Sequence, residues 1–231
     1  MEPPEDAASA AARGRLLARP GAVELGGAPP PAPGLRPIGL GGRRDGLLRV
    51  PDAAGAAPPL IVMLHGAGGD AAGALRLIED AAPGALLLAP ESRGPTWDVV
   101  MGAYGPDVAF LDAALHRVFA RHRVDAGRVA VAGFSDGASY ALSLGLGNGD
   151  LFAHVLAFSP GFCAPPAPVG RPRVFVSHGA ADDVLPIGMC SRRLVPRLRT
   201  AGHAVRYREF PGGHFVPAAV AAEAVAALDG G

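Results

Sequence analysis

The sequence contains no lysine, and all 21 of its basic residues are arginine. A lysine Schiff base, a lysine general base and the lysine-containing phosphate loop of nucleotide-binding proteins are therefore excluded. The chain also has no net charge, because 21 acidic residues balance the 21 basic ones. No strong field draws such a protein to nucleic acid or anionic lipid, and we expect neither as a partner.

Cysteine and long apolar runs are also scarce. The two cysteines, Cys163 and Cys190, match no disulfide framework and no zinc-ligand spacing. We expect two buried free thiols and no metal site, although the sequence leaves pairing of the two open. No window approaches the roughly 18 apolar residues of a membrane span, and the acidic N-terminus lacks the apolar segment of a signal peptide. We therefore expect a cytoplasmic protein without a membrane span.

The sequence does contain enough apolar material for one folded domain, with 231 residues of which 49% are hydrophobic and 18% charged. Residues 1–12 are rich in alanine and predict a flexible tail, and residues 13–231 predict a single domain. Between Arg13 and Pro59, glycine and proline interrupt three short apolar pieces. These pieces predict short edge strands joined by turns: RLLAR, LRPIGL and GLLRV.

After Pro59 short apolar runs alternate with longer amphipathic segments. The runs span 60–66, 85–90, 128–134, 154–160, 173–179 and 205–210, and the segments between them predict helices at 71–81, 106–122, 136–147, 187–201 and 216–228. Apolar runs separated by helices are typical of a parallel sheet that is covered on both faces. The sequence therefore predicts an α/β fold with a mostly parallel central sheet flanked by helices. Ligands of such sheets bind beyond the carboxyl ends of the strands.

The segment GFSDG, residues 133–137, places Ser135 directly after a strand-like run and directly before a helical one. This position is typical of a nucleophile elbow, because the glycines relieve crowding between strand and helix and leave the serine hydroxyl exposed. The motif alone is weak evidence in a chain with 33 glycines, and a helix N-cap serine is the alternative. The flanking elements favour a nucleophile.

A serine nucleophile needs a histidine base and an acid that orients the histidine. Of the histidines after Ser135, only His214 lies on a Gly-rich loop beyond the carboxyl end of a strand. His203 precedes that same strand and would lie at the opposite edge of the sheet. Two adjacent carboxylates, Asp182 and Asp183, follow another strand, and their spacing leaves the choice between them open.

The oxyanion that forms when serine attacks an ester needs backbone donors. One donor is expected to be the N–H of Asp136, the residue after the serine, whose side chain we expect to take no part. The second is expected from the segment LHGAGGD, where the glycines allow the backbone to fold tightly and to point the N–H of Ala67 or Gly68 inward.

The segment 93–106 follows another strand and carries Trp97, Met101 and Tyr104. We expect these side chains to line a substrate pocket together with Gly68 and Leu185. Simple packing of the aromatic side chains against the domain is the alternative.

Four segments together resemble the α/β-hydrolase superfamily, specifically its small carboxylesterase and phospholipase/acyl-protein-thioesterase-like branch: LHGAGGD, GFSDGASYAL, SHGAADDVLP and FPGGHFVP. The family pattern H-G-x-x-D-x-x-x-P begins at His178 and ends at Pro186. The resemblance therefore favours Asp182 over Asp183 as the acid and implies a structural role for His178. It also favours Ala67 as the second oxyanion donor. Residues 1–45 match no segment of the family.

The resemblance implies an α/β-hydrolase fold and cleavage of small-molecule carboxylic esters through an acyl-enzyme, without cofactor or metal. Only a short segment separates AFSPG from RPRVFV, so we expect no large lid domain and a shallow pocket for short or medium acyl chains. A thioesterase, a lysophospholipase or a polyhydroxybutyrate-depolymerase-like hydrolase would use the same three residues. A non-catalytic binding domain is the alternative outside catalysis, and the sequence does not decide between monomer and homodimer.

Overall fold

The structure is a computed structural model that describes residues 6–21, 32–53 and 55–229. Its strands are Gly34–Pro37 (β1), Gly46–Val50 (β2), Leu60–Leu64 (β3), Leu86–Pro90 (β4), Val129–Phe134 (β5), His154–Phe158 (β6), Arg173–Gly179 (β7) and Val205–Phe210 (β8). Within the described ranges they form one sheet in the order β1-β2-β4-β3-β5-β6-β7-β8. Strands β3 to β8 are parallel, and β1 and β2 are added antiparallel at one edge.

Helices cover both faces of this sheet. They are Ala7–Ala12 (α1), Ala71–Arg76 (α2), Pro106–Phe119 (α3), Asp136–Gly147 (α4), Ser191–Thr200 (α5) and Ala218–Ala226 (α6). Alternate residues of β3 enter two separate cores: Val62 and Leu64 pack with residues of α1, α3, α4 and α5, whereas Ile61 and Met63 pack with residues of α2 and α6. Because both faces of the central strands are buried, the predicted three-layer α/β architecture is confirmed.

The predicted strands after Pro59 are confirmed, with ends that differ by at most two residues. The predicted helix 136–147 is confirmed at both ends. The other four predicted helices extend too far, most clearly at 71–81, where α2 ends at Arg76, and at 187–201, where α5 begins at Ser191. The segment before α5 is a turn, because the N–H groups of Met189 and Cys190 both donate to Pro186 O. Apolar periodicity persists through such turns, so the pattern overestimates helix length.

The flexible tail predicted for residues 1–12 is wrong for its second half. Residues 1–5 lie outside the described residues, but Ala7–Ala12 form α1, with Ala10 and Ala11 buried. Asp6 caps the helix by accepting a hydrogen bond from the Ser9 N–H at 2.8 Å. The alanine-rich segment of residues 7–12 therefore forms a packed helix and not a flexible tail.

The edge strand predicted for RLLAR is also wrong, whereas GLLRV forms β2 and LRPIGL overlaps β1. The backbone N–H of Leu16 donates to Asn148 Oδ1 at 2.9 Å, and those of Leu17 and Ala18 donate to Asp112 Oδ1 at 2.7 and 2.8 Å. Side chains of α3 and of the residue after α4 thus replace the neighbouring strand that these backbone groups would need.

None of the helices in the described ranges has the length and hydropathy that a bilayer crossing requires. Cys163 and Cys190 carry free thiols. Cys190 is buried and Cys163 half-buried, and burial raises the pKa of Cys163 to about 12. Neither thiol is therefore activated as a thiolate at neutral pH.

Candidate active site

Ser135 forms a sharp turn between β5 and α4. Its backbone has φ +57° and ψ −120°, a conformation that L-residues rarely adopt. The two flanking glycines are required by close approach: a Cβ at Gly133 would lie 2.1 Å from Gly137 O, and a Cβ at Gly137 would lie 2.3 Å from Leu64 O. The strand–turn–helix geometry is that of a nucleophile elbow, in which the serine hydroxyl stands above the sheet.

Three backbone hydrogen bonds fix the conformation of this turn. The Ser135 N–H donates to Phe158 O of β6 at 3.0 Å, and Ser135 O accepts from the N–H groups of Ala138 and Ser139. The Ser139 hydroxyl adds a longer bond to the same carbonyl at 3.2 Å. The surrounding structure therefore holds the serine in a conformation that it would not adopt alone.

His214 lies on the loop that follows β8 and joins the serine to an acid. Its Nε2 lies 2.9 Å from Ser135 Oγ, and its Nδ1 lies 2.7 Å from Asp182 Oδ2. The imidazole also packs against the Phe134 ring, with 4.7 Å between the ring centroids. The structure thus brings together three side chains that are 47 and 32 residues apart in the sequence, from the loops after β5, β7 and β8.

Asp182, rather than Asp183, is the carboxylate that contacts this histidine. The Asp182 side chain is fully buried, whereas Asp183 is exposed. Its second oxygen, Oδ1, accepts the backbone N–H groups of Val184 and Leu185 at 3.0 and 2.8 Å. Burial opposes ionisation, but the hydrogen bonds from His214 and Leu185 outweigh it and lower the pKa of Asp182.

His178 packs beneath this acid and is fully buried. Its Nε2–H donates to Leu185 O at 2.7 Å and lies 3.2 Å from Asp182 Oδ2, while its Nδ1 accepts from the Ser191 hydroxyl at 2.6 Å. Burial lowers the pKa of His178, so the ring is neutral. Its hydrogen bonds hold it in a fixed position beneath Asp182. This placement agrees with a structural role.

The two predicted oxyanion donors lie on either side of the serine. Asp136 is the first residue of α4, and Ala67 lies on the loop after β3, where a Cβ at the neighbouring Gly66 would be 3.4 Å from Ser135 Cβ. Within the described ranges, neither the Ala67 N–H nor the Asp136 N–H has a protein acceptor at hydrogen-bonding distance. The Asp136 carboxylate is turned away and accepts the Thr96 hydroxyl at 2.7 Å.

Gly68 is exposed and is unsuited to the role of second donor. Its φ of +65° is in the left-handed region that favours glycine, and its N–H already donates to Pro95 O at 2.9 Å. This bond ties the loop after β3 to the loop after β4. Of the two candidates Ala67 and Gly68, Ala67 is therefore the one whose N–H has no acceptor in the described ranges.

His65 lies at the start of this loop and precedes Ser135 in the chain, and no sequence pattern predicted a role for it. The ring is buried, and it donates from Nδ1 to Gly66 O at 2.7 Å and accepts at Nε2 from the Ser92 N–H at 3.1 Å. Burial lowers the pKa of His65, in keeping with this neutral tautomer. His65 therefore shapes the turn that presents Ala67.

Arg44 is a second residue that sequence reasoning missed. It comes from the segment before β2, and its Nη2 lies 3.5 Å from both His65 Nε2 and Gly69 O, while it also bonds to Ser92. No signal in the sequence pointed to it, because the surrounding N-terminal segment resembles nothing in the family.

The prediction that Trp97 lines a substrate pocket is wrong. The side chain is 0% exposed, its Nε1–H donates to His65 O at 2.8 Å, and it stacks on Tyr140 at 5.1 Å between ring centroids. Trp97 therefore supports the loop after β3 from below, which is the packing role that the sequence analysis gave as the alternative.

The other predicted pocket residues differ in exposure. Met101 is 73% exposed and Leu185 is half-buried. Tyr104 is half-buried, and its hydroxyl donates to Ala164 O at 2.8 Å while its ring faces Tyr140. Tyr104 thus connects the loop after β4 to the loop after β6. Contact of these residues with a substrate stays a prediction.

Comparison with known proteins agrees with this arrangement. A family model described as "Putative esterase" matches residues 108–187, which include Ser135 and Asp182. The solved structure of esterase PE8 is similar over 81% of this chain and 99% of its own, with 26% identity and a TM-score of 0.66. A sequence search of curated proteins finds no match.

Two further solved structures have the same fold. A Bacillus cereus carboxylesterase covers 81% of this chain and 94% of its own, with 18% identity and a TM-score of 0.62. A carboxylesterase from Mesorhizobium loti covers 75% and 89%, with 23% identity and a TM-score of 0.57. The predicted α/β-hydrolase fold and the resemblance to the small carboxylesterase branch are therefore confirmed.

Proposed function

We propose that this protein of the α/β-hydrolase fold is a serine hydrolase that cleaves carboxylic esters of short or medium acyl chains through a covalent acyl-enzyme. The observation that carries the proposal is the continuous hydrogen-bonded chain from Ser135 Oγ through the His214 imidazole to the buried carboxylate of Asp182, at 2.9 and 2.7 Å. Such an arrangement activates a hydroxyl that otherwise attacks carbonyl groups poorly.

In the first half of the proposed reaction, Ser135 Oγ attacks the ester carbonyl carbon while its proton passes to His214 Nε2. Asp182 accepts the hydrogen bond from Nδ1 and stabilises the imidazolium that forms. The N–H groups of Ala67 and Asp136 donate to the carbonyl oxygen as it becomes an oxyanion. When the tetrahedral intermediate collapses, the C–O bond to the alcohol breaks, and His214 returns the proton to the leaving oxygen.

In the second half, water attacks the acyl-enzyme and gives up a proton to His214 Nε2. The bond between Ser135 Oγ and the acyl carbon then breaks, the serine regains its proton from the histidine, and the carboxylic acid leaves. Each step conserves charge within the site, and Asp182 remains a carboxylate throughout. The lowered pKa of Asp182 supports this role, because an acid that ionises easily keeps the histidine in the required tautomer.

Hydrolysis of p-nitrophenyl esters of graded acyl length tests the proposal. We expect Ser135→Ala to lower kcat/KM by a factor on the order of 10³ or more with little change in KM. A fluorophosphonate probe gives an independent measurement, because it should label the wild-type protein covalently at one site and leave Ser135→Ala unlabelled. Undiminished turnover by Ser135→Ala would contradict the proposed mechanism.

Asp182→Asn and Asp183→Asn form a matched pair that tests the acid. The Asp182 variant loses the carboxylate that holds the imidazole tautomer, and we expect a fall in kcat on the order of 10³-fold. The Asp183 variant removes an exposed carboxylate one residue away and should keep activity within about threefold of wild type. The reverse result would move the acid to Asp183 and contradict the geometry.

A further inference from the structure

Most of the large exposed apolar side chains in the described ranges lie on loops at the edge of the sheet that carries the candidate active site. Six large hydrophobic residues in the described ranges are exposed: Leu17, Leu35, Met101, Val184, Met189 and Phe215. Four of the six, Met101, Val184, Met189 and Phe215, lie on loops at the carboxyl ends of the parallel strands. Single exposed hydrophobic residues need no explanation, but a group around a reactive serine points to a ligand.

Three of these side chains, Val184, Met189 and Phe215, lie on the two loops that carry Asp182 and His214; we call them the apolar rim. They are 62%, 61% and 50% exposed. The Val184 N–H is bonded to Asp182 Oδ1 at 3.0 Å, and Phe215 directly follows His214. The Phe215 ring is also fixed, because it packs edge-on against Phe210 with 5.5 Å between centroids. Val184 and Phe215 are therefore held close to the acid and to the base, respectively.

Two half-buried apolar side chains, Leu185 and Phe134, lie next to residues of the triad. The Leu185 N–H donates to Asp182 Oδ1 at 2.8 Å, and the Leu185 methyl groups would lie 3.4 and 3.5 Å from a Cβ at Gly161. On the other side, the Phe134 ring lies against the His214 imidazole. An apolar group that leaves the reaction centre on the histidine side therefore meets apolar surface.

The reaction itself decides which part of an ester lies there. His214 Nε2 must reach Ser135 Oγ in the attack and the leaving alcohol oxygen in the collapse of the intermediate. The alcohol oxygen consequently lies beside His214, and the carbonyl oxygen lies away from it at Ala67 and Asp136. The substituent on the alcohol oxygen is then directed towards the loops of His214 and Asp182.

We propose that the apolar rim binds the alcohol portion of the substrate, so that this protein prefers esters of apolar alcohols over isomeric esters in which the same carbon atoms lie in the acyl chain. The inference rests on the proposed function. Each methylene that is fully removed from water contributes about 0.8 kcal/mol, roughly a fourfold gain in affinity. The rim removes only one side of an alkyl chain from water. An alcohol that is longer by several methylenes should therefore bind with about tenfold higher affinity in total.

Two isomeric esters, hexyl acetate and ethyl hexanoate, provide the test because they have the same composition and similar hydrophobicity. The variants are a triple variant with Val184→Ser, Met189→Ser and Phe215→Ser, and the single variant Met189→Ser. Met189 forms no hydrogen bond to the triad residues within the described part of the chain, so Met189→Ser tests the rim without disturbing the triad. Leu35→Ser is the matched control, because Leu35 is 59% exposed on β1 at the far edge of the sheet.

We expect the triple variant to lower kcat/KM for hexyl acetate about tenfold, mainly through KM, and to leave ethyl hexanoate within about twofold of wild type. Met189→Ser should give a smaller change in the same direction, and Leu35→Ser should give none. A selective loss on ethyl hexanoate would assign the rim to the acyl chain and overturn the proposal. Equal losses on both esters would overturn it as well.

Two further outcomes are distinguishable. If the wild-type protein hydrolyses neither ester nor any p-nitrophenyl ester, the proposed function itself fails. If the wild-type protein is a dimer by light scattering and the triple variant is a monomer with unchanged selectivity, the rim is a contact between two copies, and the substrate assignment is wrong.

Discussion

Replacement of Gly137 by alanine perturbs the candidate site through backbone packing alone. The new Cβ would lie 2.3 Å from Leu64 O and 2.5 Å from His65 O, whereas ordinary contacts begin near 3.4 Å. The start of α4 must therefore move away from the end of β3 by about 1 Å. We expect a loss of about 1–3 kcal/mol in the free energy of unfolding, as for other overpacked positions. Alanine is intrinsically better than glycine in a helix, so this loss would run against helix propensity.

The same displacement should reduce activity, because it separates the Asp136 N–H on α4 from the Ala67 N–H on the loop after β3. A misplacement of about 1 Å can lower the rate of a well-oriented reaction about 100-fold. Urea denaturation and p-nitrophenyl butyrate hydrolysis measure the two effects. Gly84→Ala is the control, because a Cβ at Gly84 has no heavy atom within 4 Å. Wild-type stability and kcat in Gly137→Ala would refute the packing argument.

Two further predictions concern groups outside the triad. Burial raises the pKa of Asp107 to about 6, above its unfolded value of 3.8. Between these two pH values the folded state therefore binds more protons than the unfolded state. The free energy of unfolding should fall by up to about 3 kcal/mol as the pH rises through this range. Asp107→Asn should remove that slope in urea titrations between pH 4 and 7, and parallel curves would contradict it. Asn148 is fully buried and bonds to the backbone of Leu16, Gly14 and Leu144, so Asn148→Ala should lower the free energy of unfolding by about 3 kcal/mol. Asp150→Ala removes only exposed ion pairs to the same N-terminal segment and should cost less than about 1 kcal/mol; equal losses in the two variants would contradict this ranking.

The sheet and the order of its elements were predictable from the sequence because burial on both faces imposes a simple pattern. The strand β3 is a continuous apolar run in which every residue is buried, and the same holds for β4 and β6. The N-terminal segment was not predictable in this way. Its backbone bonds to Asp112 and Asn148, two polar side chains more than 90 residues away, and no local pattern encodes such contacts.

The residues of the candidate site also differ in how far the sequence predicts them. Ser135, Asp182 and His214 could be predicted because each must follow a strand, and chain order then selects among the alternatives. The orientation of a large side chain carries no such signal. Trp97 lies on the expected loop, yet its indole turns inward to the carbonyl of His65. Position in a loop could therefore be predicted, but whether a side chain faces solvent or the core depends on its tertiary contacts.

Among the described residues, backbone strain is concentrated at two neighbouring strand ends. Ser135 after β5 and Ser159 after β6 are the non-glycine residues with positive φ, at +57° and +53°. One buried hydroxyl links the two turns: Ser139 Oγ donates to Ser135 O at 3.2 Å and accepts the Gly161 N–H at 2.9 Å. Strained residues of this kind cost about 1–3 kcal/mol each and persist only where surrounding contacts hold them. The helix that follows the nucleophile therefore also fixes the adjacent loop after β6, and the turn that carries the serine hydroxyl is held from both strand ends.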